Sequence, residues 1–205
     1  MNQRRDARRN RAKIVVAAGE VFRENGGLVP LEQVTRRAGV GRGTLYRHFP
    51  DRGALIAAVL ELRVDALETY AAGYPGDDLL EHLLVEIYAL QVDASGLLAV
   101  AQSFAAEPDR LDDVVRRAET LMSTALDAAH RGGVVRADVT LADVFLAFAM
   151  IDGAVAAQAR MPGPAPVDRA LALVLRSLRT ESRVSLPTPQ PELRLPTPTD
   201  ADAAT

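Results

Sequence analysis

The chain has 205 residues, of which 48% are hydrophobic, so it is long and apolar enough to bury a core. It contains no cysteine, which excludes a disulfide framework and a thiolate metal site and suits a cytoplasmic protein. Residues 1–53 carry 12 Lys and Arg against 5 Asp and Glu, whereas the remaining residues carry 12 against 22. A basic N-terminal part, residues 1–53, followed by an acidic remainder favours contact between the N-terminal part and phosphates.

The first predicted element is an amphipathic helix over residues 10–25, which Gly26 and Gly27 end. Residues 1–9 before it form a basic leader, which we expect to be flexible. Its arginines either reach DNA phosphates or the adjacent minor groove, or remain solvated in a disordered tail. The helix has an apolar stripe at i, i+3, i+4, i+7 and i+8, formed by Ile14, Ala17, Ala18, Val21 and Phe22.

Two short helices joined by a glycine turn come next. Leu31, Val34 and Ala38 share one face of a helix over residues 31–38. Gly39 stands where a left-handed residue closes a helix, and Gly41 stands at the N-cap of the next helix. This arrangement predicts a helix-turn-helix, whose second helix lies in the major groove of DNA.

The second helix carries side chains suited to DNA. Leu45 and Phe49, at i and i+4, anchor it to the protein. Arg42 and Arg47 are left outside, where a guanidinium can bind guanine O6 and N7. Gly43 is unfavourable inside a helix, and we expect it to permit a close approach of backbone to DNA. Side chains that can bind phosphate oxygens are those of Thr44, Tyr46 and His48.

Residues from about 8 to 64 resemble the N-terminal domain of the tetracycline-repressor (TetR) family. The features that carry the resemblance are Arg-Arg-Ala-Gly-Val at 36–40, Gly-Thr-Leu-Tyr-Arg-His-Phe-Pro at 43–50, and Asp51-Arg52 opening a fourth helix. The resemblance implies an all-α fold of about nine helices, with an N-terminal three-helix helix-turn-helix domain and a larger C-terminal ligand-binding and dimerisation domain. It implies base-edge contacts from Arg42, Gly43 and Arg47, and phosphate contacts from Thr44, Tyr46, His48 and Arg52.

The chain departs from the family pattern at two positions. Gly41 replaces the Ser or Thr that many members have at the recognition-helix cap, so a hydroxyl contact to phosphate is absent. Arg52 stands where many members carry Lys, which keeps the charge and changes its geometry.

Beyond residue 51 the pattern stays helical. We place the DNA-binding domain at residues 10–72, and residues 51–70 form the connecting helix at its end. The ligand-binding and dimerisation domain is placed at residues 73–181. Its helices are predicted at 79–92, 97–106, 109–130, 141–159 and 167–179. The Pro-rich residues 182–205 are predicted to be a disordered tail, although the repeated Leu-Pro-Thr-Pro leaves a docking role open.

The helix at 141–159 is apolar on nearly every face, and Asp143, Asp152 and Gln158 make it a buried helix rather than a membrane span. A partner chain would bury such a helix, and the resemblance implies a homodimer built from the last two helices. We predict that the dimer interface contains Phe145, Phe148, Ile151, Leu171, Val174 and Leu178. Candidate ligand-binding residues in the body are Tyr88, Gln91, Gln102, Phe104, Met122 and Asp152.

Nothing in the sequence indicates catalysis. The three histidines have no paired metal spacing, and no phosphate loop or nucleophile motif is present. Glu81, His82 and Glu86 are interpreted as a solvated helix face. We therefore expect no enzyme, no cofactor and no metal.

The function predicted is that of a ligand-responsive DNA-binding transcriptional regulator, a repressor released from a palindromic operator of double-stranded DNA by a small-molecule effector. The alternative is a helical ligand sensor or protein-interaction module that does not bind DNA specifically.

Overall fold

The computed structural model describes residues 2–93, 108–157 and 166–181, and these form eight α-helices and no strand. The prediction of an all-α fold is confirmed. The helices are α1 (Asn2–Asn25), α2 (Leu31–Ala38), α3 (Arg42–His48), α4 (Arg52–Ala72), α5 (Leu79–Asp93), α6 (Pro108–Arg131), α7 (Leu141–Ala157) and α8 (Pro166–Leu178).

The helix boundaries lie within two residues of the predicted ones, except at the start of the chain. α1 begins at Asn2 rather than at residue 10, because its basic leader contains arginine and alanine, which are good helix formers, and neither glycine nor proline. The predicted helix at 97–106 and the predicted tail at 182–205 lie outside the described residues.

The first three helices and the start of α4 enclose one apolar core. Ile14 and Phe22 of α1, Val34 of α2 and Leu45 of α3 are all fully buried there. Arg37 of α2 adds a polar tie to α1, because its guanidinium donates hydrogen bonds to the carboxylates of Glu20 and Glu24.

The turns between these helices have the predicted glycine chemistry. Gly39 ends α2 in the left-handed conformation, with φ 67°, and Val40 N–H donates to the Thr35 carbonyl. Gly41 caps α3 without a side-chain hydrogen bond. Asp51 caps α4, since its carboxylate accepts from Ala54 N–H at 2.7 Å.

A second apolar core lies among α5, α6, α7 and α8, around Leu83, Leu84, Met122 and Ile151. α4 and α6 contribute to both cores. Leu67 of α4 packs on the second core, and Leu111 of α6 lies in the first. The first and second cores are thus joined by two packed helices.

Glu81 of α5 differs from its predicted solvated position. It is buried, and both of its carboxylate oxygens accept hydrogen bonds from Arg179, just after α8. The pair links residues 98 positions apart, which a local pattern does not reveal. Across residues 2–93, 108–157 and 166–181, no helix is long and apolar enough to cross a membrane.

Candidate nucleic-acid interface

Helix α3 is held by one face and presents the other to solvent. Leu45 and Phe49 are 0% and 1% exposed and pack in the first core, as expected for anchoring residues. Arg42 and Arg47 are exposed, and Tyr46 is 40% exposed. The helix therefore offers two guanidiniums on a rigid support, which is the arrangement that base-edge recognition requires.

Arg42 has two neighbours within the protein. Its Nη1 lies 3.3 Å from Oε1 of Glu32 on α2, and its guanidinium carbon lies 5.6 Å from the centroid of the Tyr46 ring. Both side chains of the ion pair are more than half exposed, so water screens their attraction. The pair holds Arg42 weakly and leaves its guanidinium available to a ligand.

Gly43 has no structural need to be glycine. It lies within α3, its φ is not positive, and a Cβ added there would meet nothing within 4 Å. Because glycine costs about 1 kcal/mol in a helix relative to alanine, the fold alone would favour a side chain here. The open space in front of Gly43 permits an external molecule to approach the backbone.

His48 lies at the end of α3 beside two cations. Burial lowers the pKa of its imidazole below the ordinary value, and the positive charges of Arg47 and Arg11 lower it further. Its Nε2 atom is buried with no hydrogen-bond partner among the described residues. In this orientation of the ring the buried Nε2 atom cannot reach a phosphate.

Arg52 is engaged with the protein itself. Its Nη1 donates to the carbonyls of Gly27 and Val29, each at 2.7 Å, which fastens the start of α4 to the loop between α1 and α2. From the sequence, Arg52 was predicted only as a cation that faces phosphate. Its contacts with the two carbonyls could not be predicted, because Gly27 and Val29 lie 25 and 23 residues before it.

Comparison with known proteins identifies the family. The profile of "Bacterial regulatory proteins, tetR family" matches residues 14–59. An HTH-type transcriptional regulator of Staphylococcus aureus (strain USA300) is 35% identical over 68 residues, which are 33% of this chain and only 37% of that relative. The crystal structure of the TetR transcriptional regulator SCO0520 from Streptomyces coelicolor is 31% identical, with a TM-score of 0.62, and the match covers 84% of this chain and 99% of that one. The chain belongs to the TetR family.

A more distant TetR-fold structure covers the same extent. It is the transcriptional regulator FadR from Bacillus subtilis in complex with stearoyl-CoA, with a TM-score of 0.58 over 84% of this chain and 99% of that one. At 17% identity it shows a shared fold alone.

The three candidate ligand residues that the structure describes in this TetR-family chain, Tyr88, Met122 and Asp152, lie in different surroundings. Met122 is 1% exposed in the second core, and Asp152 is half-buried on α7. The Tyr88 hydroxyl donates to the carboxylate of Asp168 on α8, and burial, with Asp168 beside it, raises the pKa of Tyr88 to about 12. The Gln91 side chain and both Gln102 and Phe104 lie outside the described residues.

One solvent-open groove of about 440 Å³ lies between α4, α5 and α6. It has an apolar floor from residues such as Ala71, Leu79 and Leu121, and a polar rim that includes Glu68 and Arg117. Of the predicted ligand residues that the structure describes, Tyr88, Met122 and Asp152, none lines this groove.

The predicted dimer-interface residues require correction. Ile151, Leu171, Val174 and Leu178 are 0–9% exposed and pack in the second core of the single chain, so a partner cannot cover them. Phe145 and Phe148 are half-buried. The sequence missed the exposed apolar residues of these two helices, which are Leu146 (51% exposed), Met150 (58%) and Leu173 (50%).

In the described part of the chain, no group of three or more His, Asp or Glu side chains is arranged to hold a metal ion. His82 lies 3.6 Å from the carboxylate of Asp78, one turn before it on the chain.

Proposed function

We propose that this TetR-family chain is a ligand-responsive DNA-binding regulator that represses transcription from a palindromic operator. The observation that carries the proposal is α3 itself, where exposed Arg42 and Arg47 flank Gly43 on a helix fixed by buried Leu45 and Phe49. In this proposal the two arginines and the Gly43 backbone read base edges, while Thr44, Tyr46, His48 and Arg52 contact phosphates.

The proposed regulator acts in the cytoplasm as a homodimer. The exposed apolar side chains of the last two helices, Leu146 and Met150 on α7 and Leu173 on α8, support this, because a partner chain would remove their apolar surface from water. A dimer places two α3 helices in successive major grooves, about 34–36 Å apart, which requires an operator with two matching half-sites.

The effector in this proposal binds the body and acts on α4. α4 begins in the DNA-binding domain and ends against the second core, so a change in its packing alters the position of α3. Release of the operator occurs if the effector prefers the dimer geometry with the wrong α3 separation. A thousandfold loss of affinity requires about 4 kcal/mol of differential binding.

An electrophoretic mobility shift with genomic fragments tests the proposal. We expect a band that survives excess random-sequence competitor and weakens as salt rises, because phosphate contacts release counterions. The absence of such a band at every protein concentration would overturn the regulator function.

A further inference from the structure

Glu32 of α2 is an acidic side chain at the edge of the candidate DNA interface. Its Oε1 lies 3.3 Å from Nη1 of Arg42, at the start of α3. Its side chain is 53% exposed, so packing of the first core does not require a carboxylate at this position. A carboxylate close to DNA phosphates is repelled by them. Glu32 therefore weakens binding to DNA in general, unless its pair with Arg42 contributes something else.

The Arg42 guanidinium is confined from two sides. The Glu32 carboxylate lies at Nη1, and the ring of Tyr46, one turn further along α3, lies 5.6 Å from the guanidinium carbon. A guanidinium carries five N–H donors in a fixed plane, and those of Nε and Nη2 form a separate edge. Because Glu32 lies at Nη1, the Nε and Nη2 edge can meet a second planar acceptor at the same time. Guanine offers such an acceptor in its O6 and N7 atoms.

We propose that Glu32 is a positioning residue for base recognition, which holds the Arg42 guanidinium at Nη1 so that its Nε and Nη2 edge meets a guanine. The proposal rests on the proposed function, because α3 has to lie in the major groove. In the free protein, water screens the ion pair. A duplex that covers α3 displaces this water, so the attraction between the two side chains becomes stronger when DNA is bound.

The same pair disfavours the wrong sequence. On a duplex without a guanine at the correct position, Arg42 gains a contact only by turning to a phosphate. This movement leaves the Glu32 carboxylate without its cation beside the negative DNA backbone, which costs free energy. A repulsive element of this kind lowers the affinity for all DNA and raises the preference for the correct site.

Glu32 also stands in the first turn of α2, where a negative charge stabilises the helix N-terminus. Two variants separate this structural role from the proposed one. Glu32→Asp keeps the charge in the first turn and withdraws the carboxylate from Arg42 by one methylene group. Glu32→Gln keeps the length of the side chain and removes the charge.

Dissociation constants of these variants are measured on a genomic fragment that the wild type shifts specifically and on random-sequence duplex. Glu32→Gln should bind random duplex about 2- to 5-fold more tightly, because one exposed repulsion is lost. Its preference for the fragment should fall by about 5-fold or more, the lower end of what one bidentate base contact contributes. Glu32→Asp should also lose preference, without the gain on random duplex.

Glu20→Gln is the matched charge control, because Glu20 of α1 is 44% exposed and pairs with Arg37 of α2 instead of a residue of α3. It should keep the wild-type preference. Thermal unfolding of every variant is measured alongside. A preference that Glu32→Asp retains in full, or that falls only as the Tm falls, would assign Glu32 to the stability of α2 and overturn the proposal.

A double-mutant cycle with Arg42→Ala tests whether Glu32 acts through Arg42. In the Arg42→Ala background, Glu32→Gln should leave the preference for the fragment unchanged, because the side chain that Glu32 positions is gone. An equal fall in both backgrounds would overturn the proposal, since Glu32 would then act on DNA without Arg42.

The wild type separates this inference from the proposed function. A wild type that binds every genomic fragment and random duplex equally contradicts the regulator function, and the inference falls with it. A wild type with a clear preference that Glu32→Gln retains contradicts the role of Glu32 alone.

Discussion

Arg117 of α6 bridges Asp65 and Glu68 of α4. Its Nη2 lies 2.5 Å from Oδ1 of Asp65, and its Nε lies 3.1 Å from Oε1 of Glu68. These hydrogen bonds, the one to Glu68 most strongly, raise the pKa of the Arg117 guanidinium above its ordinary value. Since the start of α4 packs in the first core, the bridge links the position of that core to α6.

Arg117→Ala should therefore loosen α4 from α6. We expect the Tm to fall by about 2–4 °C and operator affinity to weaken, because a network that holds two helices is worth more than one exposed pair. Arg116→Ala is the matched control, since Arg116 is 70% exposed and pairs with Asp113 on its own helix. Calorimetry and a DNA titration measure both effects, and equal behaviour of the two variants would show that the bridge does not couple the domains.

Gly43→Ala should separate folding from DNA binding. With nothing within 4 Å of the added Cβ, the variant should fold and be as stable as the wild type or more so, because alanine favours the helix. Operator affinity should fall, since the methyl group occupies the space through which the backbone of α3 approaches a base pair. Thermal unfolding and operator titration are compared, and a stable variant with wild-type affinity would remove Gly43 from the interface.

The helix-turn-helix was predictable because its signals are local. Gly39 requires a left-handed turn, and Leu45 and Phe49 lie one turn apart, so neighbouring residues suffice. The phase of α7 was not predictable, since a helix that is apolar on nearly every face has no polar side to orient it. Val144 and Ile151 face the core, whereas Met150 faces outward.

Contacts between residues far apart in the sequence could not be predicted from it either. The bridge from Arg117 to Glu68 spans 49 residues, and the carbonyls that hold Arg52 belong to the loop between α1 and α2, whose only local signal is the Gly26-Gly27 pair. Each contact depends on packing that brings distant helices together. The sequence shows the positions of Arg52 and Arg117, and the tertiary packing determines which hydrogen-bond acceptors lie next to them.

Arg52→Ala should have two separable effects. Loss of the hydrogen bonds to the Gly27 and Val29 carbonyls should lower the Tm, because two partly buried acceptors lose their donor. If Arg52 also contacts a phosphate, as we propose, the salt slope of DNA binding should fall by about 0.9 per protomer. Salt titrations decide the second effect, and a lower Tm with an unchanged slope would restrict Arg52 to a structural role.

Met150→Arg should break the proposed dimer. A charge placed on the exposed apolar face of α7 would be buried without a partner at the interface, while the monomer fold should tolerate it because Met150 is 58% exposed. Val85→Arg on α5, where the side chain is 41% exposed, is the control. Light scattering after size-exclusion chromatography should show a monomer for the first variant only, and a dimer for both would place the interface elsewhere.

The central claim is that α3 reads DNA sequence, and Arg47→Ala tests it most directly when its affinity is measured on an operator fragment and on random duplex. The claim predicts a loss of about 5- to 150-fold on the operator, equivalent to the 1–3 kcal/mol of a bidentate guanine contact, with binding to random duplex largely retained. Arg36→Ala, an exposed arginine of α2, should keep the wild-type preference for the operator. Equal losses of Arg47→Ala on both DNAs would contradict the claim.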